Sequence, residues 1–394
     1  MQAKVIRFFK KPLFSDYRFI FAFWVALSVV VAIVHQLAKS GMHGNYKIYK
    51  YAFWNVIEQY PLYQHRPGLG DINQYGPVFS VIIAPFAMLP DVIGSALWLL
   101  CLSVFLFVAL KELPLKTWQI AVITWLVANS LVIALTNVQF NIASAALIVL
   151  SYTMIKKEKD VWAAFMIMLG TMVKLYGIVG FAFFLFSRHK PKFLLWCVIW
   201  CVVFFVLPMA FSSPDFIIGQ YKAWFFDLIH KNIQNNNCLQ QNVSLIGMIK
   251  KSTGHLEWPI LPIILSGLVL QALTLINFRQ FRNPEYQLRM LASVLLFVVL
   301  FSTGSEPNTY IIAMVGVAIW FVIQPRPFSG WVWGLMLFAL IIAGFGPSDL
   351  FPKPIYRHYI LPNALQALPC TLVWLRIIWE MIKTITDPTV TCKE

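Results

Sequence analysis

Apolar runs broken by short polar turns dominate this chain. A run from Phe19 to Leu37 is followed by the polar stretch Ala38 to Tyr75, and then by runs at Pro77 to Leu89, Ile93 to Leu110, Trp118 to Leu135, Ile142 to Ile155, Trp162 to Phe186 and Phe193 to Phe211. After a second polar stretch, Ser212 to Trp258, come Ile260 to Ile276, Met290 to Ser302, Ile311 to Ile323, Trp331 to Ala343 and Ala367 to Ile382. A helix rises about 1.5 Å per residue and the hydrocarbon core of a bilayer is about 30 Å thick, so roughly 20 apolar residues cross it. The pattern predicts an all-α, polytopic transmembrane helical bundle of about eleven to thirteen spans, a single integral membrane domain over residues 1–394.

Three long polar loops interrupt the bundle, at 38–75, 212–258 and 344–366. In the first, Tyr46, Ile48, Tyr49, Ala52, Phe53 and Ile57 recur at helical spacing, which predicts an amphipathic helix lying on the bilayer surface. Composition agrees with a membrane protein: 59% of residues are hydrophobic and 12% charged, about half the charge of a typical soluble domain.

The formal charge of +15 sits in clusters between apolar runs: Lys4, Arg7, Lys10 and Lys11; Lys156, Lys157 and Lys159; Arg188, Lys190 and Lys192; Arg279, Arg282 and Arg289. That distribution argues for membrane orientation and against nucleic acid. The positive-inside rule puts the four clusters and the amino terminus in the cytoplasm and the three long loops outside. The clusters flanking Trp162 to Phe186 can share a side only if that stretch crosses twice, as two half-length helices. Pro77 to Leu110 poses a similar parity problem.

Ionisable groups within or beside spans are costly, which makes them the candidates for function. Lys174 lies near the middle of Trp162 to Phe186, and in a hairpin it would stand at the outer surface, where an ammonium pairs with a lipid phosphate. A snorkelling lysine without a ligand is the plain alternative. Outward carboxylates that could act as a general base are Glu58, Asp71, Asp215, Asp227, Glu257, Glu306 and Asp349. Asp71, just ahead of Tyr75-Gly76-Pro77, is expected to face an apolar cavity whose desolvation raises its pKa. The uncharged groups Gln139, Asn141, Asn242 and Ser244 at span edges suit sugar hydroxyls or helix caps. No histidine or cysteine spacing fits a metal site; no cofactor is expected, and no acidic pair has a spacing that would settle whether a divalent metal assists.

Several motifs, in order, resemble the GT-C class of membrane glycosyltransferases, and specifically glycosyltransferase family 87, which includes bacterial α-1,2-mannosyltransferases. They are Tyr75-Gly76-Pro77-Val78-Phe79 with Ala84-Pro85 and Leu89-Pro90, then Leu97-Trp98, Asn137-Val138-Gln139-Phe140-Asn141, Val173-Lys174-Leu175-Tyr176 and Asn242-Val243-Ser244-Leu245-Ile246-Gly247. The resemblance implies transfer of a hexose, mannose by the nearest parallel, from a polyprenyl-phosphate donor to an envelope lipid or glycan acceptor on the outer face of a bacterial inner membrane. It implies a catalytic base in the first outer loop, for which Asp71 and Glu58 are the candidates, with Glu306 a further candidate from its own position, a donor-phosphate site at Lys174 and Tyr176, and sugar or acceptor contacts at Asn45, Tyr75, Gln139, Asn141, Asn242, Ser244 and Tyr310.

Two departures bear on that expectation. The family usually carries an Asp ahead of its first-loop helix, where this chain has Asn45, an amide that takes no proton at neutral pH. Relatives often place a histidine near Thr309-Tyr310, which is absent here. A lipid or solute transporter and a catalytically inactive scaffold are the competing readings.

Overall fold

The computed structural model describes residues 12–37, 44–237 and 241–383. The amino-terminal basic cluster, Cys238 and Cys392 lie outside them. Among the described residues there is helix and no strand. Four helices among the described residues are long and apolar enough to cross a membrane: Tyr17–Val34, Asp91–Lys111, Thr117–Thr136 and Lys190–Ala210. Six shorter apolar helices accompany them, including Asn141–Lys156, Asp160–Val173 and Leu175–Phe186.

The chain sorts into two compact units, one of residues Pro12–Leu115 and Leu131–Lys231, the other of Lys116–Ser130 and Asn232 onward. In the first, helix α1 (Tyr17–Leu37) packs on α4 (Asp91–Lys111), and α2 (Gly44–Glu58) on the short α3 (Phe79–Ala87). At its centre is α6 (Asn141–Lys156), in which nearly every side chain is buried. Around α6 lie α4, α7 (Asp160–Val173) and the segment Leu175–Phe186, with α8 (Lys190–Val206) against α7. The helix α5 (Thr117–Thr136) joins α4 to α6 in sequence.

Both parity problems have a physical answer. The α-helix α7 ends at Lys174, whose backbone is extended (φ −149°, ψ 97°), and the chain returns as a 3₁₀ helix over Leu175–Phe186. The arms are roughly 21 Å and about 24 Å long at the rises of the two helix types, each short of the bilayer core. They close into a hairpin: Ser187 Oγ donates to Asp160 Oδ1 (3.0 Å), and Arg188 pairs with Glu158 (2.8 Å). A Cβ on Gly177 would stand 2.4 Å from Thr171 N and 2.5 Å from Gly170 C, so the arms touch backbone to backbone. Lys174 is therefore the hairpin tip, and the two basic clusters meet at the open end. Farther back, Pro77 to Leu89 forms only the nine-residue α3, with Pro85 inside it, so a single full-length helix, α4, follows.

The helix expected in the first loop forms, but its apolar face turns inward. Tyr46, Ile48, Tyr49, Ala52, Phe53 and Val56 are buried, and Ile57 is the exposed member of the set. In the second loop α9 (Pro214–Asn237) is amphipathic: Ile217, Gln220 and Trp224 are buried, while Phe225, Phe226, Ile229 and Ile233 are exposed.

The second unit is built on α12 (Pro284–Leu300) and α13 (Tyr310–Val322), an antiparallel pair buried almost throughout, with α15 (Ala367–Lys383) against α12. The turn between α12 and α13 receives the 242–244 segment, Val243 N donating to Ser305 O at 2.7 Å. That segment enters the short helix α10 (Leu245–Thr253).

Candidate functional site

The dispersed motifs of the first unit converge on one aromatic cluster. Tyr75 and Phe79 have ring centroids 4.7 Å apart, Tyr49 lies 5.3 Å from Tyr75 and 5.1 Å from Phe79, and Phe140 lies 5.6 Å from Tyr75 and stacks on Trp98. Such offset and edge contacts add to the burial of large apolar rings, which explains aromatic residues at these separated positions. The Tyr49 and Tyr75 hydroxyls share a hydrogen bond (3.0 Å). Gly76 is needed because a Cβ there would meet Met172 O at 2.0 Å and the Trp224 ring at 2.9 Å; its N–H donates to Val173 O (2.9 Å) and docks the loop on the hairpin tip.

The polar groups gather above this cluster. Lys174 Nζ donates to Asn141 Oδ1 at 2.7 Å and lies 4.6 Å from the Tyr176 ring centroid and 5.9 Å from that of Tyr75. Rings at these distances attract an ammonium through their negative faces, so the tip holds its cation in place. Asn141 opens α6 directly after the turn in which Val138 takes a positive φ of 50°. On that turn Asn141 Nδ2 donates to Gln139 Oε1 (3.5 Å) and Asn137 O accepts from Asn45 Nδ2 (2.8 Å). Six predicted residues, Asn45, Tyr75, Gln139, Asn141, Lys174 and Tyr176, thus belong to one linked arrangement. It can fix an anionic head group beside a polar turn.

The predicted carboxylates are less uniform. Glu58 pairs with Arg66 (2.7 Å), whose guanidinium also donates to Asn55 and stacks on Tyr51 and Tyr60. Asp71 is exposed and accepts from the N–H of Ile72 (2.8 Å); the burial expected there is not found. It is found instead at Asp227 on α9, a half-buried carboxyl whose Oδ2 is enclosed without a hydrogen-bond partner. Burial pushes the Asp227 pKa up and nearby Asp71 adds to that rise, against the pull of Lys231 and His230. Sequence reasoning placed Asp227 among the outward acids without singling it out. The signal was the helical spacing Gln220, Trp224, Asp227, opposite an exposed Phe225-Phe226 pair.

The remaining four residues belong to the second unit, and their partners there are structural. Glu306 caps the turn into α13, its N–H donating to Thr309 Oγ1 (3.1 Å) and its carboxylate accepting from Asn308 (3.2 Å). Tyr310, fully buried, donates to Val243 O (2.5 Å). Ser244 caps α10 by accepting from Gly247 N (3.2 Å) and donates to Asn242 Oδ1 (2.5 Å), while a Cβ on Gly247 would stand 1.8 Å from Asn242 O. The Asn-x-Ser-Leu-x-Gly spacing is thus accounted for by a helix cap. Among the described residues no group of three or more His, Cys, Asp or Glu side chains is gathered as a metal-ligand set.

Residues 73–303 match the sequence profile described as glycosyltransferase family 87. No curated protein matches the sequence. Among solved structures, the crystal structure of ArnT from Cupriavidus metallidurans bound to undecaprenyl phosphate is similar over 91% of this chain and 77% of that one, with a TM-score of 0.47 and 13% identity.

Proposed function

The chain belongs to glycosyltransferase family 87, and from that membership we propose that it transfers mannose from a polyprenyl-phosphate donor to an envelope lipid or glycan acceptor, with inversion at the anomeric carbon. The observation that carries the donor class is the Lys174 ammonium, held by Asn141 and flanked by Tyr75 and Tyr176 at the tip of a re-entrant hairpin. Cleaving the anomeric bond places charge on the departing phosphate, and a preorganised cation in a water-poor site stabilises that charge. A point-charge lysine suits a phosphate, and the sequence offers no glycine-rich phosphate loop of the kind nucleotide donors use.

The other residues follow from the same geometry. Asn45, Gln139 and Asn141 line the turn beside the cation and serve as sugar or acceptor contacts. Asp71, exposed on the neighbouring loop, accepts a hydrogen bond from the incoming acceptor. With the basic clusters in the cytoplasm, the hairpin tip and its chemistry face outward across a bacterial inner membrane.

The deciding experiment is transfer of labelled mannose from polyprenyl-phosphate-mannose to extracted envelope acceptors by the purified full chain, with a nucleotide-mannose as the comparison donor. Transfer from the lipid donor alone is expected; transfer from the nucleotide donor alone would refute the reading. In the same assay Glu58→Gln is expected to stay within about fivefold of wild type. Its ion pair with Arg66 is half exposed, and such pairs contribute about 0–1 kcal/mol. A hundredfold loss would instead make Glu58 part of the chemistry.

A further inference from the structure

Resting on the transferase reading, we infer that Asp227 is the general base that takes the proton of the acceptor hydroxyl. The helix α9 presents Gln220, Trp224 and Asp227 on one face. Gln220 Oε1 accepts from Leu62 N (2.8 Å), Trp224 Nε1 donates to Gln74 O (3.4 Å), and the Trp224 ring closes on Gly76. The same face therefore carries Asp227 along the loop that docks on the Lys174 tip. Tyr63 on that loop has already committed its hydroxyl proton to Tyr75 O (2.8 Å).

What distinguishes Asp227 from the other acids is the state of its two oxygens. Oδ2 is enclosed with no donor, while the residue as a whole stays half exposed. A carboxylate short of donors on its buried side is poorly stabilised as an anion and binds a proton more readily, and the open side leaves it reachable. Glu58 has Arg66, and Glu306 is spent on a cap. The charged and titratable neighbours of Asp227 are Asp71, His230, Lys231 and Tyr63; the negative Asp71 reinforces its basicity, and Lys231 and His230 moderate it.

The step balances as follows. The acceptor O–H gives its proton to the Asp227 carboxylate while the oxygen forms a bond to the anomeric carbon. The bond from that carbon to the phosphate oxygen breaks, its electron pair leaves with polyprenyl phosphate beside Lys174, and Asp227 returns the proton to water.

The test compares the purified wild-type chain with Asp227→Asn, Asp227→Glu, Asp71→Asn and Lys231→Gln, reading mannose transfer across pH and binding of polyprenyl phosphate. Asp227→Asn is expected to lose about 10²–10⁴ in kcat, the usual span for a general base, with polyprenyl-phosphate affinity retained, and Asp227→Glu to recover part of the loss. Because the base works unprotonated, rate rises with pH through its pKa. Removing the Asp71 charge moves that limb to lower pH, whereas Lys231→Gln moves it to higher pH. An active wild type with Asp227→Asn within about fivefold of it, or an Asp227→Asn chain that no longer binds polyprenyl phosphate, overturns the assignment alone. A wild type that binds polyprenyl phosphate but transfers from no polyprenyl-phosphate sugar overturns the transferase reading as well.

Discussion

Lys174→Ala is expected to lower kcat/KM for transfer from a polyprenyl-phosphate sugar by about 10²–10³. Removing one preorganised electrostatic partner of a developing anion costs roughly 2.7–4 kcal/mol in other active sites. A separate estimate gives the same range: unit charges about 4 Å apart at an effective dielectric constant near 20 interact by about 4 kcal/mol. The loss should appear both in turnover and in weaker binding of free polyprenyl phosphate, since the product anion meets the same ammonium. Lys174→Arg should recover part of the charge effect. The Asn141 acceptor and the two rings are arranged around an ammonium, however, and a planar guanidinium will not reproduce their geometry. If Lys174→Ala kept kcat/KM within about threefold, the cation at the tip would be a snorkelling side chain and the donor site would lie elsewhere.

The second large effect is on the hairpin itself. Gly177→Ala adds a single carbon, which arrives 2.4 Å from Thr171 N and 2.5 Å from Gly170 C, both backbone atoms that no rotamer change can clear. Overpacking of this kind typically costs about 1–3 kcal/mol and occasionally more; here the arms must separate, so the upper end applies. At roughly 2–4 °C per kcal/mol for a unit of this size, the expected outcome is a fall of about 5–10 °C in Tm, together with weaker polyprenyl-phosphate binding as the tip shifts. Gly219→Ala on α9 is the control, because a Cβ there meets nothing within 4 Å, and replacing a helical glycine at an open position stabilises by about 0.5–1 kcal/mol. Equal behaviour of the two variants would remove the close approach of the arms as the reason for glycine at position 177.

Much of this arrangement is readable from the chain. Two basic clusters flanking one apolar stretch predict that it turns back halfway, and the stretch is a helix, an extended Lys174 and a returning 3₁₀ arm. The Tyr75-x-Pro-x-Phe79, Leu97-Trp98 and Gln139-Phe140-Asn141 motifs name the members of a cluster that only folding brings together. The failures have equally local causes. Helical spacing in the first loop shows that an apolar face exists, but not whether lipid or protein covers it, and α3 and its neighbours cover it. Proximity in sequence to a span entry singled out Asp71, whereas burial is decided by which face of α9 packs on that loop. Glu306 and Asn242 to Gly247 form caps, and because caps and sugar sites draw on the same polar side chains the sequence does not separate the two uses.

The hairpin arms have a further consequence. At roughly 21 and 24 Å they fall short of an average hydrocarbon core of about 30 Å, so with their open end at the cytoplasmic face, as the proposed orientation has it, their tip would lie several ångströms below the plane where lipid head groups normally float. On the proposed reading the carrier's phosphate must sink to meet Lys174, and the membrane's own thickness sets how far. The enzyme then works against an elastic load, a cost on the order of fractions of a kcal/mol per ångström of mismatch. Reconstituted into bilayers of progressively longer acyl chains, it should slow in steps as the lipid thickens, and a rate indifferent to thickness would show that the bilayer thins around the hairpin at no cost to transfer.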